Sequence, residues 1–479
     1  MNFIMPDLMP ALPEMFLLAM TCVVLVVDLF VKQASRGATY MLAQASLVIT
    51  AVLTIVTYSP TETITFNGMF VRDPMADVLK VGIYIATLVV FLYAKSYLIA
   101  RDLYKGEFYA LGLFAVVGMM ILISAHNFLT VYLGLELLSL SLYAMVAMQR
   151  DSSTASEAAM KYFILGAIAS GMLLYGISMI YGATGSLDLA TVSQVVATKQ
   201  DNIILIFGLV FLIIGIAFKL GAVPFHMWVP DVYHGAPTAV TLFIATAPKL
   251  AAFAMLMRVL VDGLGPLHTQ WQDMLILLII LSMGVGNIVA IAQANIKRML
   301  AYSTISHIGF LMLGVITGAA AGYSASMFYA LVYVLMSLGA FGMIILLSRN
   351  GFEADKLDDF KGLNDRSPWY AFLMLILMFS MAGVPPFLGF WAKWSVLEQV
   401  VASDMVWLAA ISVGFSVIGA FYYLRLIKLM YFDKPADLTQ IECGKDMAVV
   451  ISVNSMVVLF VGLFPNQLLA LCQSVFAAS

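Results

Sequence analysis

Apolar residues run along this chain in long unbroken blocks separated by short polar connections. Fourteen blocks can be set off, near residues 11–31, 38–58, 76–97, 109–125, 127–148, 159–181, 203–222, 238–262, 271–293, 298–318, 320–347, 369–399, 403–432 and 446–473. Most approach the roughly 20 residues a helix needs to cross the hydrocarbon core. The blocks are continuous rather than alternating, which selects helices over the strands of a membrane barrel. The pattern predicts an all-α polytopic membrane protein with about 14 transmembrane helices. The longest polar stretch is "SRNGFEADKLDDFKGLNDRSP", residues 348–368, so no sizeable soluble domain is expected.

Two blocks are too long for one straight span and carry helix breakers. Residues 203–229 contain Gly221 and Pro224, and residues 369–399 contain Gly383, Pro385, Pro386 and Gly389. Proline removes a backbone donor and clashes with the preceding turn. Both blocks should therefore be interrupted helices, a feature tolerated at membrane depth only where it is buried in protein or faces water. The first break reads "GAVPFHMW" and the second "GVPPFLGFW", with Lys219 before the one and Lys393 after the other. They fall in the seventh and twelfth blocks. An odd offset reverses direction across the membrane, so two inverted repeats are expected, each holding a broken helix. Paired interrupted helices of this kind point to a transport site. The expected division is 1–108 for N-terminal helices, 109–265 and 266–435 for the two half-channel repeats, and 436–479 for a C-terminal helix.

Composition agrees with the membrane reading: of 479 residues, 63% are hydrophobic and 11% charged, against about 25% charged in soluble domains. The basic residues orient the chain. With the N-terminus outside, 17 of the 24, Arg349 among them, lie on inner loops and inner helix ends, against Arg72, Lys199 and Arg258 outside. Both termini then face outward, which means the periplasm in a bacterium. The first block lacks the basic flank of a cleaved signal peptide and is expected to remain as a span. Cys22, Cys443 and Cys472 are far apart and read as small apolar residues. No basic stripe suggests nucleic acid. No cysteine cluster, dinucleotide fingerprint or paired haem histidines suggest a redox centre.

Four of the deepest groups in these blocks are ionisable: Glu136, Lys219, Lys249 and Lys393. A charge at the bilayer centre costs at least about 2.5–3.5 kcal/mol, so such groups point to an ion or proton path. Glu136 is about the tenth residue of its helix, hence ~15 Å deep. It is expected to pair with Lys219, and movement between the two would switch whether the lysine holds its proton. The bland readings are a protonated Glu136 hydrogen-bonded to a neighbouring helix, a structural ion pair for Lys249 and snorkelling for Lys393. His307, in "AYSTISHIGF" with Ser303, Thr304 and Ser306 before it, can relay a proton or simply hydrogen-bond within the bundle. Tyr302 is a lesser candidate of the same sort. Lys161 opens its span near the inner surface, where snorkelling accounts for it. His226, Asp231 and His234 lack a further ligand at a useful spacing for metal, and a water-filled proton entry is the better use.

The strings "FKLGAVPFHMWVPDVYHGAPTAVTLF", "NIKRMLAYSTISHIGF" and "AGVPPFLGFWAKW" resemble the antiporter-like membrane subunits of respiratory complex I and their relatives in cation/proton antiporters. The resemblance covers nearly the whole chain, and "LMPALPEMFLLAMTCVVLVVDLF" and "VRDPMADVLK" place it on the complex I side of that set. It implies a proton path of two half-channels. Glu136 and Lys219 would serve the first, Lys249 would connect, His307 would be central and Lys393 the outlet. Some relatives carry a glutamate at the outlet, so the lysine here fits only part of the family. The resemblance also implies NADH, flavin, iron–sulfur clusters and quinone in other subunits, sister antiporter-like subunits as partners, and a bacterial inner membrane. A subunit of a stand-alone sodium/proton antiporter is the alternative, since the core strings are shared. A scaffold that moves nothing fits poorly with four deep charges.

Overall fold

The computed structural model describes residues 5–32, 36–348, 351–435, 441 and 444–477; Arg349 and Cys443 lie outside the described residues. The helices are α1 (Leu12–Phe30), α2 (Gly37–Val56), α3 (Pro74–Ala100), α4 (Gly106–Ile123), α5 (Phe128–Val146), α6 (Ser153–Thr184), α7 (Leu189–Ala197), α8 (Ile203–Leu220), α9 (Trp228–Gly235), α10 (Thr238–Ala245), α11 (Ala247–Leu256), α12 (His268–Ile291), α13 (Ile296–Val315), α14 (Ala320–Leu347), α15 (Leu363–Arg366), α16 (Pro368–Ala382), α17 (Leu388–Ala402), α18 (Val406–Phe432), α19 (Lys445–Leu463) and α20 (Asn466–Phe476). Twelve segments among the described residues are long and apolar enough to cross a membrane. Two further expected spans fall outside that set for physical reasons. The α13 helix carries Lys297, Arg298, His307 and four hydroxyl side chains. The α16–α17 span is cut in two by its break.

Three expectations change. Residues 446–473 are not one helix, because Pro465 separates α19 from α20. Residues 238–262 are interrupted too: Thr246 leaves helical geometry ahead of Pro248, and a π-helical turn follows at Met257–Gly263. Between α2 and α3 a small antiparallel hairpin pairs β1 (Thr63–Thr65) with β2 (Phe70–Arg72). Its turn takes positive φ at Phe66, Asn67 and Gly68, the backbone that an Asn-Gly pair suits.

The two expected breaks are present and alike. The α8 helix ends on Gly221 with φ 85°, and α16 ends on Gly383 with φ 85°. In each, the glycine amide reaches the carbonyl three residues back and the next amide reaches five back: Gly221 to Phe218 and Ala222 to Ala217, Gly383 to Ser380 and Val384 to Phe379. This is the Schellman arrangement, which needs a left-handed residue that glycine supplies without steric cost. Both breaks hold a cis prolyl bond, Val223–Pro224 and Pro385–Pro386.

The interior is centred on the segment that carries Lys249 and on α14. The segment Thr238–Gly263 is wholly enclosed and α14 nearly so, whereas α1, α6, α18 and α19 bury only about a third of their apolar length. Close helix approaches recur between the halves. A Cβ on Gly118 of α4 would lie 2.5 Å from the Leu138 amide of α5, and one on Gly286 of α12 would lie 2.7 Å from the Ser306 amide of α13. Small residues of this kind let membrane helices pack backbone to backbone. Asn127 and Asn295 cap α5 and α13 in the same way, each side chain accepting a backbone amide of the first turn.

The N-terminal helices are fastened by charge. Lys80 of α3 lies 2.5 Å from Glu14 of α1, with side chains 1% and 8% exposed, and among the described residues the Glu14 carboxylate has no further hydrogen-bond partner. Breaking such a pair strands a buried charge, whereas removing both partners is often neutral. Glu14→Gln is therefore expected to lower the amount of folded chain extractable from membranes, at a cost of about 3–5 kcal/mol. Glu14→Gln combined with Lys80→Met should recover most of it. A double variant that folds worse than Glu14→Gln alone would contradict the pairing.

Candidate functional site

The breaks create the places where the deep lysines sit. A Schellman cap satisfies carbonyls earlier in the last turn but leaves the final one free, at the negative end of the helix dipole. At the first break that carbonyl belongs to Leu220, and Lys249 Nζ donates to it at 2.9 Å. At the second it belongs to Ala382, and Lys393 Nζ donates to it at 2.9 Å. The same bond thus forms twice, on the residue just before a left-handed glycine. Lys249 is 2% exposed and also stands over the Trp228 ring at 5.6 Å. Lys393 donates to Ser416 Oγ at 2.9 Å as well and stands over Phe310 at 5.2 Å, so it points into the protein and not into lipid.

Glu136 and Lys219 do not meet as an ion pair. Lys219 Nζ donates to Ser139 Oγ at 3.0 Å, and the Glu136 carboxylate accepts from Ser170 Oγ. Ser139 lies one turn beyond Glu136 on α5. Ser139, Ser170, Tyr143 and Lys219 line one small cavity between α5, α6 and α8. In place of the expected direct pairing, each group holds its own serine, Lys219 on Ser139 and Glu136 on Ser170, and both serines face the one cavity.

His307 is buried and both ring nitrogens have partners. Nδ1 lies 2.6 Å from Tyr329 Oη, and Nε2 lies 3.1 Å from Tyr423 Oη. Tyr423 also bonds Ser303, and Thr304 bonds Tyr333 at 2.8 Å. A neutral imidazole donates from one nitrogen and accepts at the other, and a phenol can do both. The chain of bonds can therefore pass a proton without moving heavy atoms far. A second small cavity brings together Asn287, Ser306, His307, Lys393, Ser416 and Tyr423. The structure thus puts His307 and Lys393 on one small cavity, and sets Lys249 on the carbonyl of Leu220, the residue that follows Lys219.

Between the two groups stands Tyr233 of α9, whose ring neighbours Trp228 at 6.5 Å. Its buried hydroxyl lies on the side of Thr304. Asp231 does not belong to an open histidine cluster. It is held by Lys161 at 2.8 Å and Arg298 at 2.9 Å, so Lys161 is an ion-pair partner and not merely a snorkelling end. Sequence reasoning missed Ser139, Ser170, Tyr329, Ser416 and Tyr423. Ser170 and Ser416 stood as isolated hydroxyls inside apolar blocks, a signal too common in membrane helices to single them out.

Residues 125–419 match the sequence profile of the NADH:quinone oxidoreductase/Mrp antiporter transmembrane family. NADH-quinone oxidoreductase subunit N of Thioalkalivibrio sulfidiphilus is 62% identical over 98% of this chain and 98% of its own length. Subunit N of Thiobacillus denitrificans is 58% identical over the same shares. Among solved structures, a chain of respiratory complex I from Thermus thermophilus with bound aureothin superposes with a TM-score of 0.83 at 30% identity. That match covers 96% of this chain and 99% of the other.

Gly383 gives the sharpest local test of the break. A Cβ there would take a left-handed backbone, costing about 1–2 kcal/mol, and would fall 2.8 Å from Lys393 Cδ. Gly383→Ala should lower the thermal unfolding midpoint measured in detergent. Gly171→Ala, on α6 with open space around it, should not. Equal midpoints for Gly383→Ala and the unaltered chain would contradict the cap geometry.

Proposed function

We propose, from the premise that this chain belongs to the family of NADH-quinone oxidoreductase subunit N, that it moves protons outward through two linked half-channels, driven by quinone reduction elsewhere in the enzyme. As a member of that family the chain is an antiporter-like, proton-translocating membrane subunit of the oxidoreductase, set in the bilayer among other membrane subunits. The sister antiporter-like subunits are among those neighbours. NADH, flavin, iron–sulfur clusters and quinone belong to other subunits. The membrane is the bacterial inner membrane, with both termini on the periplasmic side. The stand-alone sodium/proton antiporter is not favoured. The family profile covers Mrp antiporters too, but the end-to-end matches at 62% and 58% identity are oxidoreductase subunits.

One observation carries the proton path: two alike breaks, each with a deep lysine on its last free carbonyl. On this reading residues 109–265 and 266–435 are inverted repeats, and with the flanking helices they make fourteen crossings. Glu136 and Lys219 control entry through the cavity that holds Ser139 and Ser170. Lys249 connects, the Tyr233 hydroxyl marks a hydrated passage, and His307 hands the proton to Lys393 for release outside.

A lysine that passes protons must give one up, and arginine is effectively always protonated. In vesicles carrying the whole enzyme, Lys249→Arg is expected to abolish pumping as completely as Lys249→Ala; a fully active arginine variant would make Lys249 a fixed structural charge. Glu136→Ala should lower pumping by on the order of tenfold or more at normal enzyme content. Glu136→Asp, which keeps a carboxylate, should retain far more. Wild-type pumping by Glu136→Ala would remove the carboxylate from the path.

A further inference from the structure

Helix α9 and its junction with α10 are gripped at three points by residues of the second half. Arg298 Nη1 holds Asp231 at 2.9 Å. Lys297 Nζ donates to the Ala236 carbonyl at 3.1 Å, and at 4% exposure it is a buried cation that the path above does not use. Glu353 accepts from Thr238 Oγ1. The three grips belong to one piece, because the start of α13 is itself bonded to the strand of chain that bears Glu353. Ile296 N donates to Asp355 O at 2.7 Å, Leu357 N to Ala294 O at 2.9 Å, and Asn295 Nδ2 to Asp355 Oδ2 at 2.8 Å.

The charges suit the backbone they hold. Lys297 sits on the carbonyl that follows the end of α9, where a helix is negative. Glu353 sits at the first residue of α10, where a helix is positive. Arg101 at 2.5 Å and Tyr97 at 3.1 Å brace Glu353 from α3, so the grip does not shift freely. What it grips lies between the two lysines of the first half. The α9 segment leads back to the break beside Lys219, and α10 leads into α11 with Lys249. What does the gripping continues along α13 to His307.

We propose that residues 231–238 form a latch between the half-channels, with Lys297 and Arg298 as positioning residues that set Lys219 and Lys249 according to the state of α13. The proposal rests on the proton-path reading above. It assigns Lys297 a fixed charge and no part in carrying protons, the reverse of Lys249.

The test uses the intact enzyme in membrane vesicles, with proton uptake and NADH-driven quinone reduction both normalised to assembled enzyme. Coupling elements of this kind shift linked equilibria by amounts worth about two- to thirtyfold. Lys297→Met and Arg298→Gln are each expected to lower pumping within that range, with Lys297→Arg and Arg298→Lys restoring most of it. Asp231→Asn with Arg298→Gln should be no worse than the more damaging single change. Arg298 is partly exposed, so Arg298→Gln supplies the decisive result if Lys297→Met fails to assemble. Lys249→Ala in parallel separates the two ideas. If it stops pumping while Arg298→Gln and Lys297→Met pump normally, the latch alone is wrong. If it pumps normally, the proton-path reading falls first. Lys297→Arg as damaging as Lys297→Met would make Lys297 a proton carrier and overturn the latch, as would strictly additive losses at Asp231 and Arg298.

Discussion

An unpaired carbonyl in hydrocarbon must find a donor, and here the donor is a lysine. Breaking a helix at membrane depth exposes backbone groups that lipid cannot satisfy. Burying an ammonium there costs several kcal/mol unless it is paired. Each problem answers the other at the Leu220 carbonyl with Lys249 and at the Ala382 carbonyl with Lys393. A carbonyl is a neutral partner. It can hold a charged lysine without neutralising it, and it does not trap the proton as a carboxylate would. That leaves the lysine stable in place yet free to exchange its proton, which is the condition for a transport group.

The remaining architecture follows from protecting those two bonds. Glycine at 221 and 383 is required both for the left-handed cap and for space, since a side chain at 383 would occupy the place of Lys393. The enclosing helices α10, α11, α13 and α14 are the most buried parts of the chain, while outer helices meet lipid with apolar faces. The structural ion pairs differ from the groups of the proposed path. The Lys80–Glu14 and Arg72–Asp77 pairs are direct, short and sealed. By contrast Glu136 and Lys219 form no direct pair, and each is bonded to a serine instead.

Much of this was legible in the sequence. Unbroken apolar length gave the membrane spans, and glycine with proline inside overlong blocks gave both breaks, because those signals are local and strong. The five ionisable candidates stood out because charge in an apolar block is costly and therefore rare. What the sequence could not give was which partner each group finds. The lysines pair with backbone carbonyls, which leave no trace in residue type. The hydroxyls bonded to His307 come from α14, the next helix, and from α18, 116 residues further along the chain. The interruption ahead of Lys249 was also hidden, because Pro248 lies in a block not much longer than one span, and the stop at Pro465 was missed although its block is as long as the first of the two that showed a break.

The central claim is that the two lysines on the broken helices are mobile proton carriers and not fixed structural charges. Electron cryomicroscopy of the intact enzyme, at rest and during turnover, at a resolution that shows ordered water, tests it most directly. The expected result is a state in which Lys249 Nζ leaves the Leu220 carbonyl and a chain of waters passes Tyr233 to the hydroxyls around His307. Lys249 and Lys393 fixed on their carbonyls in every state, with dry packing between Tyr233 and His307, would contradict it.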